Sequence, residues 1–123
     1  MVSINRPEVN MRTGPGTQHS AIWALSKGYP LQVLQRQNKW LKVRDFENDI
    51  GWVYRPLVGQ QKHHIVKAST ANLRSAPTTQ SRIVGKAERG EVLRTLDKRS
   101  GWIKVQRHSG SKGWIAQRLL WGW

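Results

Sequence analysis

Residues 40–54 read WLKVRDFENDIGWVY. Polar and apolar residues alternate at the start of this segment, where Lys42 separates Leu41 from Val43. Because successive side chains of a strand point to opposite faces, the alternation predicts a strand that buries Leu41 and Val43. A second apolar run begins at Gly51-Trp52, after a polar turn. The segment therefore predicts two neighbouring strands with one buried face.

This segment recurs 62 positions later, where residues 102–116 read WIKVQRHSGSKGWIA. The chain aligns with itself at that offset without a gap from Val9 to Leu120. Self-similarity at a fixed period indicates a repeated structural unit. We therefore predict two domains, residues 1–61 and 62–123, with their boundary in the polar stretch 59–64.

Each unit contains five short apolar runs separated by turn residues, a pattern typical of strands and not of helices. The predicted strands are residues 9–12, 21–25, 31–35, 40–44 and 51–54 in the first unit and 71–74, 83–87, 92–96, 102–106 and 113–116 in the second. Five such strands in about 60 residues are too few for a sandwich with two covered faces. The expected fold is all-β, with two small barrels in tandem.

The composition argues against catalysis. The chain has 123 residues, with 21 Lys and Arg against 7 Asp and Glu, and no cysteine. Without cysteine there is no disulfide, thiolate metal site or cysteine nucleophile. No Gly-rich phosphate loop, nucleophile elbow or Ser/His/Asp set is present. The adjacent His63 and His64 of the boundary stretch are a poor metal site, because neighbouring histidines seldom bind one ion. We expect no enzyme activity, no metal and no cofactor.

The positive charge is concentrated in the second unit. Residues 1–61 carry 8 basic and 4 acidic side chains, whereas residues 62–123 carry 13 and 3. The second unit's strands and turns include Arg82, Lys86, Arg89, Arg94, Lys98, Arg99, Lys104, Arg107 and Lys112. Such a field raises the local concentration of polyanions, so a partner with carboxylates or phosphates is one interpretation. The other is a basic surface that is simply solvated.

No stretch of 18 residues is free of charge, so no transmembrane segment is expected. The first dozen residues include Arg6 and Glu8 and lack the apolar core of a signal peptide. We therefore expect no leader in the chain as given. It is compatible with the mature or trimmed part of an exported precursor.

Four motifs occur in the same order in both units. The openings are Val9-Asn10-Met11-Arg12-Thr13-Gly14-Pro15-Gly16 and Ala71-Asn72-Leu73-Arg74-Ser75-Ala76-Pro77. Then follow Gly28 and Gly90, Trp40 to Val43 and Trp102 to Val105, and the closing Gly51 to Val53 and Gly113 to Ile115. Over almost its full length the chain resembles bacterial SH3-like (SH3b) domains in tandem.

This resemblance implies two barrels of five to six strands each and a binding role, commonly toward cell-wall peptides or glycans. The paired modules that the chain most resembles belong to exported proteins of Gram-negative bacteria, which implies a periplasmic or secreted location. The family's peptide groove has walls that correspond to Trp40 and Tyr54 in the first unit. In the second unit they correspond to Trp102 and Ala116. The groove of the first unit is therefore expected to have two aromatic walls, whereas that of the second unit has one.

Several repeated residues are expected to be structural. Asn10 and Asn72 are predicted to bond backbone in the following turn, and Arg12 and Arg74 to bond loop carbonyls. The glycine before each Trp of the closing motif is expected to let another strand approach closely. In the second unit Ala76 replaces Gly14, which predicts a different turn there.

The candidate ligand-binding residues are Trp40, Tyr54, Trp23, Lys42, Arg44, Trp102 and Lys104. By alternation Trp40 and Trp102 lie opposite the core face, and an indole beside basic groups would stack on a sugar or clamp a peptide backbone. The alternative is that each ring packs under its own first loop or between the units. Trp23 has no counterpart in the second unit. It is expected either to line the contact between the units or to extend the groove.

The apolar terminus, formed by Leu119, Leu120, Trp121 and Trp123, is more than one small barrel is expected to bury. It is predicted to seal a contact between the units or to offer an exposed patch to a partner.

Two functional hypotheses follow. The first is a non-catalytic module of the cell envelope that binds peptidoglycan or another acidic envelope polymer or peptide. The second is nucleic-acid binding, because small barrels with basic faces and exposed aromatics stack bases and track phosphates. A scaffold that self-associates through its terminus is compatible with either. The sequence leaves the oligomeric state open.

Overall fold

The computed structural model describes residues 1–123 and contains only β-strands and two single 3₁₀ turns. The chain divides into two compact units, Met1–Gln61 and Lys62–Trp123. Each unit forms one antiparallel sheet of seven strands. None of the helical segments has the length and hydrophobicity needed to cross a bilayer.

The first unit contains strands β1 to β7. Their bounds are β1 Val2–Ile4, β2 Glu8–Arg12, β3 Ala21–Ser26, β4 Pro30–Gln37, β5 Trp40–Arg44, β6 Ile50–Tyr54 and β7 Val58–Gly59. They hydrogen-bond in the order β3-β2-β6-β5-β4-β1-β7. A 3₁₀ turn, Arg55–Leu57, connects β6 to β7.

The second unit repeats this arrangement with strands β8 to β14. Their bounds are β8 His63–Val66, β9 Thr70–Arg74, β10 Ile83–Glu88, β11 Val92–Arg99, β12 Trp102–Gln106, β13 Lys112–Ala116 and β14 Leu120–Gly122. The order β10-β9-β13-β12-β11-β8-β14 matches that of the first unit strand for strand. A 3₁₀ turn, Gln117–Leu119, again precedes the last strand.

The all-β prediction is confirmed, and all ten predicted strands are present with ends shifted by at most three residues. Each sheet has seven strands, more than the five to six expected per unit. The additional strands in the first unit are β1 and β7, of three and two residues. Such short segments carry no readable alternation. They are strands because of tertiary pairing, in which Val2 lies opposite Leu31 and Ile4 opposite Val58.

Each unit has its own core, built from the alternating faces. In the first unit Met11, Leu31, Val43 and Val53 are fully buried. In the second unit the counterparts Leu73, Leu93, Val105 and Ile115 are buried to the same degree. The strand β5 shows the predicted parity, since Leu41 and Val43 are buried and the residues between and beside them are not.

A glycine lets β6 cross close to β2. A Cβ on Gly51 would lie 2.6 Å from Cγ of Met11 and 2.9 Å from the carbonyl oxygen of Arg12. Gly113 occupies the equivalent place, where a Cβ would lie 2.6 Å from Cγ of Leu73. The close approach predicted for the glycine of the closing motif is therefore confirmed in both units.

The boundary stretch is more structured than predicted. His63 and His64 belong to β8, which pairs with β11 and β14. The His64 side chain is 2% exposed, and its Nδ1 lies 2.6 Å from Oγ1 of Thr95. The end of the boundary stretch is therefore a strand of the second unit, and the hydrogen-bonded partner of His64 offsets the cost of burying its polar ring.

The apolar terminus also differs from the prediction. Leu120 is buried in the core of the second unit, and Leu119 packs against the same core. Trp121 lies in β14 opposite Ile65 of β8. The single barrel therefore does accommodate much of this terminus, because β14 adds a strand that the sequence pattern had not revealed.

Candidate functional site

The first unit carries an open groove of about 630 Å³. Its walls come from β2, the loop after β2, the first residue of β5, the last residue of β6 and the following 3₁₀ turn. The lining residues are Glu8, Val9, Asn10, Arg12, Pro15, Gly16, Thr17, Gln18, Trp40, Tyr54 and Leu57. The groove therefore combines an aromatic wall with a rim of amide, hydroxyl and charged groups.

Trp40 and Tyr54 form the aromatic wall. They lie opposite each other on β5 and β6, and their ring centroids are 5.3 Å apart with planes tilted by 52°. Both side chains are half-buried and lie on the face opposite the core. This tilted arrangement is favourable for aromatic pairs and leaves ring surface available to the groove.

The tight turn before β5 sets the position of Trp40. Asn38 adopts a left-handed conformation with φ of 55°, which asparagine tolerates better than most residues. The N–H of Arg55 then donates to the carbonyl of Lys39 at 2.7 Å, which ties the end of β6 to this turn. Trp40 begins β5 directly after this turn, and Tyr54 ends β6 directly before Arg55. The two rings consequently meet at one end of the sheet.

The opposite wall is a loop that Arg12 holds in place. Its Nη1 donates to the carbonyls of Thr17 at 3.3 Å and His19 at 2.9 Å. Arg74 repeats these bonds in the second unit, to the carbonyls of Thr79 and Ser81 at 2.9 and 3.0 Å. The predicted structural role of both arginines is confirmed.

The loop of the second unit has the same turn as that of the first, contrary to prediction. The N–H of Gly16 donates to the carbonyl of Gly14 at 2.9 Å, and the N–H of Thr78 donates to that of Ala76 at 2.8 Å. Ala76 is tolerated because Gly14, its counterpart, does not need the left-handed conformation that favours glycine.

The other predicted site residues of the first unit lie outside the groove. Trp23 is in the edge strand β3 and is 51% exposed, and it is not among the groove residues. Lys42 and Arg44 lie on the outer face of β5, half-buried, on the same face as Trp40. Nη1 of Arg44 is 3.5 Å from Oε1 of Gln32. The structure thus brings Trp40 and Tyr54 together and leaves these three residues beyond the lining.

In the second unit Trp102 lies opposite Ala116, so it has no aromatic partner across the strand pair. Lys104 lies opposite Trp114, which is buried to 7% exposure and has the Arg99 guanidinium 5.6 Å from its ring centroid. The second unit therefore lacks the aromatic pair that distinguishes the first.

Sequence reasoning missed much of the groove's polar rim. Glu8 and Asn10 line it, although Asn10 was expected to bond the following turn. Both side chains are exposed and alternate with buried Val9 and Met11 along β2. This alternation was a readable signal that they share the outward face with Arg12. The residues 15–18 were not predictable, because their place depends on how the Arg12 bonds fold the loop back.

The basic residues of the second unit are mostly exposed. Arg107 is an exception, since its Nε and Nη2 donate to both carboxylate oxygens of Glu91 at 2.8 and 3.0 Å. This hydrogen-bonded carboxylate raises the pKa of Arg107. No group of three or more His, Cys, Asp or Glu side chains is placed to hold a metal ion.

Comparison with protein families identifies both units. A family profile described as a bacterial SH3 domain matches residues 5–59, and a second profile with the same description matches residues 69–120. The chain is a tandem pair of bacterial SH3 domains. The resemblance drawn from the repeated motifs is confirmed, and the seven-stranded sheets are the architecture of each domain in this chain.

Curated relatives of this SH3 pair are larger proteins. It is 28% identical over 124 positions to the putative N-acetylmuramoyl-L-alanine amidase YrvJ of Bacillus subtilis, which covers 92% of this chain and 24% of the relative. It is 38% identical over 53 residues to the probable cell wall amidase LytH of Staphylococcus epidermidis, with 42% of this chain and 18% of the relative covered. The chain therefore spans a quarter or less of the length of these relatives.

Two solved structures match the chain at low similarity. NlpC2 from Trichomonas vaginalis matches 98% of this chain and 47% of its own, with 16% identity and a TM-score of 0.44. An NlpC/P60 family protein from Bacillus cereus matches 100% of this chain and 56% of its own, with 13% identity and a TM-score of 0.44.

Proposed function

We propose that this SH3 pair is a non-catalytic module that binds peptidoglycan outside the cytoplasm, with the groove of the first domain as the recognition site. The observation that carries the proposal is the Trp40–Tyr54 pair, whose rings are 5.3 Å apart on the wall of an open groove. The relatives named as amidases, one of them a cell wall amidase, support a wall-related ligand.

The groove's chemistry suits a peptide or a glycan. A flat indole and a phenol ring present apolar faces that stack on sugar rings or on the backbone of an extended peptide. Around them Asn10, Thr17 and Gln18 offer amide and hydroxyl groups that both donate and accept hydrogen bonds. Sites for small ligands commonly combine apolar walls with a few polar groups that set orientation.

The second domain contributes attraction at a distance. It carries 13 basic and 3 acidic side chains, and most of the basic ones are exposed. A field of this kind increases the rate of encounter with an acidic polymer but is screened beyond about 8 Å at physiological salt. The first domain would then supply selectivity and the second would supply salt-sensitive affinity.

Depletion of the protein from solution by purified peptidoglycan sacculi tests the proposal. We expect Trp40→Ala to weaken retention by about tenfold, because truncating an aromatic residue that anchors a ligand typically costs more than about 1 kcal/mol of binding energy. Trp102→Ala is the matched control, since it removes the same side chain from the second domain, and it should retain nearly the affinity of the original chain. Absence of retention at low salt would refute the proposal.

Nucleic-acid binding is the second candidate, and the charge of the second domain is the observation that favours it. Its hallmark is an affinity that falls linearly with salt on logarithmic axes, with a slope set by the number of phosphates neutralised. A gel shift at low salt that is lost steeply with added salt, and is unaffected by Trp40→Ala, would favour this function over peptidoglycan binding. A flat response to salt would remove it.

The proposal also includes the absence of catalysis. The SH3 pair corresponds to only 24% of the amidase relative, so that relative's activity is not carried over to it. Incubation of the chain with sacculi should release no soluble peptide or sugar fragments. Release of such fragments by the purified chain would overturn this part of the proposal.

The location is tested in the native host. An extracytoplasmic location predicts that the protein is found in the envelope or culture fractions and not with cytoplasmic markers. The Gram-negative periplasm stays a prediction, since the curated relatives come from Bacillus subtilis and Staphylococcus epidermidis.

A further inference from the structure

We propose that the groove of the first domain selects ligands with a free ammonium group, and that Glu8 is the residue that recognises it. This inference rests on the proposed function, because it names the chemistry of the ligand that the same groove takes. It is argued from the carboxylate of Glu8 on the rim of the groove and from the Trp40–Tyr54 pair on its wall.

Glu8 is the one acidic residue among the groove's lining. It lies at the start of β2, is exposed, and faces outward beside buried Val9. Glu8 belongs to neither of the two ion pairs described in the second domain, Arg99 with Asp97 and Arg107 with Glu91. The carboxylate of Glu8 is therefore available to a ligand.

Arg12, the one basic residue of the lining, is already committed. Its Nη1 donates to two loop carbonyls, and Arg74 makes the same bonds in the second domain. Since an arginine bonds the loop carbonyls in both domains, it does not distinguish the groove of the first domain. The feature that distinguishes this groove is the acidic side chain of Glu8 at its rim.

The repeat isolates what belongs to the first domain alone. At the offset of 62 positions, Glu8 corresponds to Thr70 and Tyr54 to Ala116, whereas Arg12 and Trp40 have identical counterparts. The carboxylate and the second aromatic ring are thus both absent from the second domain. These two groups together suit an ammonium ion, because aromatic faces attract cations and a carboxylate accepts their hydrogen bonds.

The sign of the charge effect separates this interaction from general electrostatics. The chain has a formal charge of +14, so a ligand's positive charge would be repelled by the molecule as a whole. Acetylating the amines of sacculi makes them more acidic, and attraction by net charge alone would then bind the protein more tightly. Recognition by Glu8 predicts the opposite, weaker binding to acetylated sacculi.

The test measures retention by native sacculi and by sacculi whose amines have been acetylated. We expect acetylation to weaken binding of the original chain by about threefold to fivefold, a modest factor because ion pairs at accessible positions contribute little. Glu8→Gln should bind native sacculi as weakly as the original chain binds acetylated ones, and should not respond to acetylation. Glu88→Gln is the matched control, since Glu88 is an exposed acid of β10 in the second domain.

The outcomes distinguish this inference from the proposed function. Equal retention on native and acetylated sacculi, with loss of both in Trp40→Ala, would overturn the ammonium proposal and leave peptidoglycan binding intact. Equal behaviour of Glu8→Gln and Glu88→Gln would also overturn it. Failure of the original chain to bind any sacculi would refute the proposed function.

A soluble assay keeps the ammonium proposal testable in that last case and identifies the source of the amine. The probes are trialanine amide, its N-acetyl form, and an N-acetylated tripeptide amide with one lysine, each titrated while the Trp40 indole N–H resonance is followed. A response to the first alone indicates an amino terminus, and a response to the third indicates a side-chain amine. A response equal for all three, or none to any, overturns the proposal.

Discussion

The imidazole of His19 lies directly over Gly14, so that a Cβ on Gly14 would be 2.6 Å from the ring. The second domain has Ala76 and Ser81 at these two positions. There the smaller Ser81 side chain leaves room for the methyl group, and its Oγ donates to the carbonyl of Ala76 at 2.9 Å. The two loops keep one backbone turn because the sizes of the two residues compensate.

This compensation predicts a measurable coupling. Gly14→Ala should destabilise the first domain because the His19 ring must leave its place, and adding His19→Ser should remove most of that cost. A double-mutant cycle is expected to give a coupling energy of about 0.5 to 1 kcal/mol. Hydrogen exchange at core amides of the first domain would report it separately from the second domain. Strictly additive effects would contradict the size compensation.

The close crossing of β2 and β6 predicts a larger effect. Gly51→Ala should lower the free energy of unfolding by about 1 to 3 kcal/mol, because its methyl group meets Met11 and the backbone carbonyl of Arg12. Gly59→Ala is the control, since its nearest neighbour would be 3.8 Å away, an ordinary contact. Denaturant unfolding of both variants tests the difference. Equal stability of the two variants would show that the strands separate without cost.

The two arginines that hold the loops predict different consequences for binding. Arg12→Met should loosen the loop that forms one wall of the groove and so weaken retention on sacculi. Arg74→Met breaks the equivalent bonds in the second domain and should leave retention nearly unchanged. Each substitution removes one positive charge, so net charge is matched. Similar losses in both variants would indicate that charge and not loop position governs binding.

The buried His64 predicts that stability depends on pH. Burial is the main cause that lowers the pKa of His64 to about 4; a backbone hydrogen bond with Trp123 opposes the shift, and the charges of Lys98 and His63 add to it. The ordinary value is about 6.5. Between these two values the unfolded chain binds more protons than the folded one, so stability is complete above the unfolded pKa and declines as the pH falls.

We expect the second domain to lose up to about 3 kcal/mol as the pH is lowered from about 6.5 to about 4. The measurement is denaturant unfolding across this range, followed at resonances of the second domain. His64→Gln should flatten the dependence, because the amide has no proton to gain. A profile in His64→Gln as steep as in the original chain would assign the effect to other groups.

Much of the fold could be predicted from local pattern. The alternation in residues such as Leu41, Val43 and Val53 depends only on the geometry of a strand, so the ten longer strands and their buried faces were readable. The glycine of the closing motif likewise correctly predicted that another strand passes close to it. Strands β1 and β7 could not be predicted in this way, since their two or three residues become strands only through partners far along the chain.

The site divides in the same way. The sequence by itself determined the duplication, the charge of each domain and the outward face of Trp40, because these follow from residue identity and strand parity. Only the tertiary structure decided that Glu8 shares a groove with Trp40, that Trp23 lies outside it, and that His64 is buried. The physical reason is that parity specifies a face of a strand, whereas a groove or a buried partner depends on contacts between segments that loop closure brings together.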